Sequence, residues 1–125
     1  MNQQTKRTER TEKETKILSY LESFRLYRRM LNGNRRARAF FDADREDGSS
    51  RTDDALLKAR MMAVRRFVLT LPDCREKMLL YYRYLYGYSV EKCAELMDVS
   101  RRTAFRIANE AIRFAAENYD ERETF

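Results

Sequence analysis

The fold is decided by residues 89–107, which read SVEKCAELMDVSRRTAFRI. Ser89 and Ser100 are residue types that cap helices, and apolar residues follow each of them at the spacing of one helix face. Between the two helices, Asp98 tolerates the left-handed backbone of a tight turn, and Val99 fills the gap between them. The stretch therefore predicts a helix-turn-helix.

The inner faces of the two predicted helices consist of small and apolar residues. They are Val90, Cys93, Ala94 and Met97 on the first helix, and Ala104, Ile107, Ala108, Ala111 and Ala115 on the second. Ala94 falls where crossing helices come closest, so a small side chain is required there. The arginines of the second helix are left on its open side, where they suit the major groove of DNA. The candidates for base contacts are Arg101, Arg102, Phe105 and Arg106.

Five further residues around the motif are candidates for contacts to DNA phosphates. Arg83 and Lys92 carry positive charge, and in this motif the helix before the turn crosses the phosphate backbone. The other candidates bear hydroxyl groups and are Ser89, Ser100 and Thr103.

The motif and its surroundings also resemble a known family. The residues that carry the likeness are Leu71-Pro72, LLYYRY at 79–84, Gly87-Tyr88-Ser89, AELMDVS at 94–100 and NEAIR at 109–113. They resemble region 4 of bacterial sigma factors, a domain that reads the upstream promoter element and touches RNA polymerase. With its helical amino-terminal half, the chain is similar to the short sigma-region-4-like regulators of phages and prophages of Gram-positive bacteria, including those of the ArpU type.

The chain departs from the sigma pattern in its recognition helix. Sigma region 4 usually carries a glutamate where Arg102 stands, and arginines or glutamines where Phe105 and Arg106 stand. The promoter element that sigma factors read is therefore not the expected target. No stretch resembles sigma region 2, which argues against a complete sigma factor.

Composition limits the fold and the partners. Among 125 residues, one proline and three glycines accompany 43% hydrophobic and 37% charged residues, which favours an all-α protein. A formal net charge of +6 suits a polyanionic partner such as double-stranded DNA. A solvated basic surface would give the same total, so charge supports the motif without proving it.

The chain lacks the residues that zinc sites and hydrolase active sites usually need. The chain has no histidine, and its only cysteines are Cys74 and Cys93. A zinc site or a hydrolase dyad would need more than this, so we expect no catalytic residue, metal or cofactor. Cys93 is predicted to be a small core residue. No apolar run approaches the length of a membrane span and no signal peptide is visible, so we expect a cytoplasmic protein without a membrane partner.

The amino-terminal half predicts a helical hairpin. Thr11 and Glu14 have capping-box spacing, and an apolar stripe follows that predicts a helix of four to five turns ending near residues 32–34. Residues 32–52 are predicted to be a charged loop, either mobile or partly helical. Six arginines without an acid lie between residues 25 and 38. This run is interpreted as a solvated surface, with a second nucleic-acid or partner surface as the alternative.

A second long helix is predicted from a cap at Thr52 or Asp53. Its apolar residues recur at alternating four and three: Leu57, Met61, Val64, Val68 and Leu71. This helix is expected to pack antiparallel on the first, and a homodimer through the same helices is the alternative. Asp73 and Glu76 form a predicted capping box for the next helix, which Gly87 ends.

The predicted organisation has four parts: a tail at 1–13, the hairpin at 14–71, the helix-turn-helix bundle at 72–119 and an acidic tail at 120–125. The leading hypothesis is a sequence-specific regulator of transcription that places its recognition helix in the major groove. Two alternatives keep the fold: a DNA-binding component of phage packaging such as a terminase small subunit, and a protein-interaction module that contacts RNA polymerase. The target sequence, the sign of regulation and the oligomeric state are not predicted.

Overall fold

The structure is a computed structural model that describes residues 10–41 and 48–119. This described part contains helices and turns and no strand, which confirms the all-α prediction. The helices are α1 (Glu12–Phe41), α2 (Gly48–Leu69), α3 (Arg75–Leu80), α4 (Val90–Met97) and α5 (Arg101–Glu117). Most of the predicted amino-terminal tail, the acidic tail and the middle of the predicted charged loop lie outside the described residues.

Helices α1 and α2 form the predicted antiparallel hairpin. In the first half of α1, the ring of Tyr20 packs edge-on against Phe67 near the end of α2, with centroids 5.9 Å apart. In the second half of α1, Asn34 Nδ2 donates to Asp54 Oδ1 near the start of α2 over 3.2 Å. Contacts that join the start of one helix to the end of the other require the two helices to run in opposite directions.

The first helix is longer than predicted. The prediction that it ends near residues 32–34 is wrong, because α1 continues to Phe41. Gly33 lacks the positive φ of a helix-ending glycine, and a glycine inside a helix costs only about 1 kcal/mol relative to alanine. The burial of Leu31 and the cross-hairpin hydrogen bond of Asn34 favour continuing the helix through this point.

The predicted charged loop is largely helical at both of its ends. Helix α1 occupies its first part, and α2 already begins at Gly48. The predicted cap at Thr52 or Asp53 is therefore wrong, since both residues lie inside α2. Of the two predicted possibilities for this segment, mobile or partly helical, the partly helical one agrees with its described ends.

One hydrophobic core connects the hairpin to the carboxy-terminal helices. Its buried members are Ile17, Leu21, Phe24, Val64, Val68, Leu71, Leu79, Leu80, Leu85, Ile107, Ala111, Ile112, Ala115, Ala116 and Tyr119. Ile112 and Ala115 belong to this core, so the later turns of α5 pack against the upstream helices. Helix α5 is therefore a core element along one face while its other face stays open.

Helix α3 begins without a side-chain cap and is followed directly by a turn of π-helix. The predicted capping box is wrong, because Cys74 is the N-cap and supplies no side-chain bond. Asp73 instead pairs with Lys77, whose Nζ lies 2.8 Å from the carboxylate and also donates to the Leu69 carbonyl oxygen. After α3, a turn of π-helix spans Tyr81–Leu85. The chain then turns at Gly87, which has a positive φ.

Candidate nucleic-acid interface

The two helices of the motif begin and end at the predicted residues. The hydroxyl oxygen of Ser89 accepts from the Lys92 amide at the start of α4 over 3.1 Å. Ser100 does the same for the Thr103 amide at the start of α5, also over 3.1 Å. Between them Asp98 adopts the left-handed conformation with φ 56° and ψ 47°. The predicted caps and turn are confirmed, and together they fix the direction of α5.

A small apolar cluster holds α4 against α5. Its buried residues are Val90, Ala94 and Ala104, with Val99 and Ala108 packed against them. Ala94 is only 5% exposed, which confirms that the crossing leaves room for a small side chain alone. Val99 packs into this cluster as predicted, and its amide donates to the Ala94 carbonyl oxygen. The cluster makes the two helices one rigid unit.

The four candidate base-contacting residues all lie on the open side of α5. Arg101, Arg102 and Arg106 are exposed, and Phe105 keeps 42% of its surface accessible. Arg101 is already engaged, because its guanidinium lies 3.1 Å from a Glu91 carboxylate oxygen and 5.5 Å from the centroid of the Phe105 ring. The α5 surface therefore contains one arginine held by neighbours and two that project outward.

Arg102 and Arg106 stand apart from the other charged residues of this surface. Within the described residues, neither has an ion pair or a side-chain hydrogen bond, whereas Arg113 further along α5 lies 4.0 Å from a Glu14 carboxylate oxygen. Residues four apart on a helix share one face. These two guanidiniums are thus neighbours that are available to an external acceptor.

The candidate phosphate contacts are divided between exposed and internally used groups. Lys92 is exposed and lies 3.4 Å from Glu95 on the same helix. The hydroxyl groups of Ser100 and Thr103 are hydrogen-bonded to each other over 2.9 Å. Arg83 is partly buried and donates from Nη1 to the Tyr88 carbonyl oxygen over 3.0 Å. Arg83 thereby stabilises the loop before α4, a role that its position in the sequence does not reveal.

Most of the positive charge on the motif lies on α5. Helix α4 and the turn expose the carboxylates of Glu91, Glu95 and Asp98 around the single ammonium of Lys92. The first two turns of α5 carry three arginines and no acid. The motif would therefore attract a polyanion chiefly through α5.

Tyrosines form a contiguous aromatic surface after α3. The rings of Tyr86 and Tyr88 stack at 8° with centroids 5.5 Å apart, and the hydroxyl groups of Tyr81 and Tyr86 are 3.1 Å apart. That hydrogen bond raises the pKa of Tyr81, and burial raises the pKa of Tyr84. The rings pack against one another, and Tyr81 and Tyr84 also pack against the hydrophobic core.

The two cysteines, Cys74 and Cys93, do not form a disulfide with each other. Cys93 is fully buried in α4, as predicted, and burial raises the pKa of its thiol. Both cysteines are free. Among the residues that the structure describes there is no cluster of three acidic or cysteine side chains able to hold a metal ion, and no helix there is long and apolar enough to cross a membrane.

Comparisons with protein-family models, with curated proteins and with solved structures found no match for this chain. The resemblance to sigma region 4 therefore stays a prediction that depends on the sequence motif. The geometry of α4 and α5 does not depend on it.

Proposed function

We propose that the chain is a sequence-specific double-stranded DNA-binding regulator of transcription, of the phage or prophage type, with α5 as its recognition helix. The observation that carries this proposal is the pair Arg102 and Arg106, exposed and without ion pairs in the described part of the chain. Arginine binds guanine through two parallel hydrogen bonds in the major groove. Unpaired guanidiniums on an open helix are the groups that such recognition needs.

The spacing of the pair fits successive base pairs. Side chains four apart on a helix begin about 6 Å from each other, while base pairs are stacked about 3.4 Å apart. Arg102 and Arg106 would therefore contact bases one or two steps apart. Phe105 would lie against a thymine methyl group or a sugar edge, and Arg101 would exchange part of its pairing with Glu91 for a phosphate.

The test begins with selection of bound duplexes from a random pool, followed by mapping of the selected sequence in the genome of origin. Against the selected duplex, Arg102→Ala or Arg106→Ala should lose about 1–3 kcal/mol and relax specificity at one position. Arg65→Ala is the matched control, because Arg65 is equally exposed but lies on α2. An equal loss on every duplex would reduce these arginines to phosphate contacts, and no loss would contradict the proposal.

Two other measurements separate this function from the alternatives that share the fold. Ring-forming oligomers in sizing experiments would favour a packaging component over a regulator. Capture of RNA polymerase without measurable affinity for DNA would favour a protein-interaction module. Protection of a promoter by a monomer or a dimer supports the regulator.

A further inference from the structure

A second basic surface lies where α1 meets the loop before α4. A cavity of about 280 Å³ is lined by Glu22, Arg25, Arg29, Arg83 and Tyr84. Three guanidiniums surround it and a single carboxylate opposes them. Within the described residues, no ion pair neutralises any of the three arginines, so the cavity carries an excess of positive charge that favours an anion.

Two of the three arginines around this cavity, Arg25 and Arg83, contact the loop before α4. Arg25 packs against Gly87, and its Nε lies 3.3 Å from the position that a Cβ at residue 87 would occupy. Arg83 donates to the Tyr88 carbonyl oxygen. One turn along α1, Arg28 donates to the Leu85 carbonyl oxygen over 3.1 Å and so fastens α1 to the same loop. Contacts with the loop therefore position Arg25 and Arg83, while Arg29 completes the lining as an exposed side chain.

The position of the cavity indicates which anion it would bind. The loop that Arg83 and Arg25 contact leads directly into Ser89, the cap of α4. In a helix-turn-helix, the helix that precedes the turn crosses the DNA backbone while the next helix enters the groove. An anion site beside the start of α4 is thus placed where the phosphate backbone passes when α5 is in the groove.

We propose that Arg25, Arg29 and Arg83 form a phosphate clamp that binds the DNA backbone beside the site read by α5. This inference rests on the proposed function and extends it, because it makes the amino-terminal hairpin part of the DNA-binding surface. It also gives a role to part of the arginine run of α1. The clamp binds any sequence, since phosphates carry no base information.

The test compares Arg25→Ala/Arg29→Ala with the wild-type chain on the selected duplex and on a scrambled duplex over a salt series. Loss of two phosphate contacts should weaken binding to both duplexes alike and reduce the slope of log affinity against log salt by about 1.8. Arg65→Ala/Arg66→Ala is the control, with the same charge change on exposed positions of α2. Arg25→Lys/Arg29→Lys should keep most of the slope, because lysine binds phosphate as a point charge.

The outcomes distinguish the clamp from the proposed function. An unchanged slope in Arg25→Ala/Arg29→Ala, with the sequence-specific loss in Arg102→Ala intact, overturns the clamp alone. A wild-type slope near zero contradicts both proposals. Thermal stabilisation by inorganic phosphate that disappears in the double variant, with no change in duplex binding, assigns the cavity to free phosphate and also overturns the clamp. The unfolding temperature of each variant separates a binding defect from a folding defect.

Discussion

The helix ends in the helix-turn-helix and the carboxyl end of α1 in the amino-terminal hairpin are fixed in different ways. In the helix-turn-helix, the boundaries are set by short-range hydrogen bonds of Ser89 and Ser100 and by the left-handed turn at Asp98. In the hairpin, α1 passes through Gly33 because residues on the neighbouring helix stabilise it. Local chemistry sets helix length where capping residues are present, and tertiary contacts set it elsewhere.

The two regions nevertheless share one core, and the largest predicted effect tests that connection. Ile107→Ala in α5 and Leu21→Ala in α1 each remove a fully buried side chain and should each cost about 2–5 kcal/mol of unfolding free energy. Because the core is continuous, both variants should unfold in one transition in denaturant. Leu96→Ala, at a position 43% exposed, is the control. Two separate transitions, one for each region, would show that the core does not couple them.

The next effect depends on the backbone geometry of Gly87. Gly87 has φ +78° and packs against Arg25, so Gly87→Ala should cost about 1–2 kcal/mol of unfolding free energy. The same substitution should also weaken duplex binding, because the added methyl group displaces a clamp arginine. Equilibrium unfolding and duplex titration measure the two effects. A variant as stable as the wild-type chain would contradict the left-handed conformation at this position.

A helix cap in the recognition unit gives a smaller effect. Ser100→Ala removes the hydroxyl that accepts from the Thr103 amide and should cost about 1 kcal/mol. Ser19→Ala is the matched control, because the same chemical change at an exposed position inside α1 should be neutral or slightly stabilising. Urea unfolding measures the stability of both variants. Equal unfolding free energies for Ser100→Ala and Ser19→Ala would contradict the capping role of Ser100.

A smaller effect of opposite sign is expected in the hairpin. Gly33→Ala should raise the unfolding free energy by about 0.5–1 kcal/mol, because alanine favours the helical backbone and, among the described residues outside the local helix backbone, no atom lies within 4 Å of the added Cβ. Thermal unfolding measures the gain. If α1 ended at Gly33 in a left-handed cap, the same substitution would destabilise the chain, so the sign of the change decides between the two geometries.

The last effect appears only at alkaline pH. It concerns Tyr20 of the hairpin, which packs against Tyr119 just after α5. Burial raises the pKa of Tyr20 to about 12 from its ordinary value of 10.0. Below pH 10 the phenol is neutral in both states, and between pH 10 and 12 it ionises first in the unfolded chain, so folding stability falls as pH rises. Tyr20→Phe should show a shallower loss in unfolding experiments at pH 9 and pH 11. Identical slopes would remove Tyr20 as a contributor.

The features that could be predicted from the sequence are those that depend on residues close together in the chain. The caps at Ser89 and Ser100, the turn at Asp98 and the outward position of Arg102 follow from spacing alone, because each depends on a few adjacent residues. The burial of Cys93 follows from the same helical periodicity. These features define most of the candidate base-contacting surface.

Features that depend on distant residues were not predictable in the same way. The continuation of α1 depends on Asn34 meeting Asp54 across the hairpin. At α3, Asp73 binds Lys77 and leaves the cap position to Cys74. The position of Arg25 against Gly87 joins residues from opposite halves of the chain. A local sequence pattern does not specify which distant side chains will be in contact, because several residues at similar positions could serve as the partner.

The division of α5 into a buried face and an open face has an evolutionary consequence. The buried face is made of alanines and isoleucines that hold the protein together, while the open face contributes little to that packing. Under the proposed function, substitutions at Arg102 or Phe105 would therefore change which DNA sequence is preferred without a matching loss of folding stability. Chains with this architecture could then diverge in target choice while their packing stays the same.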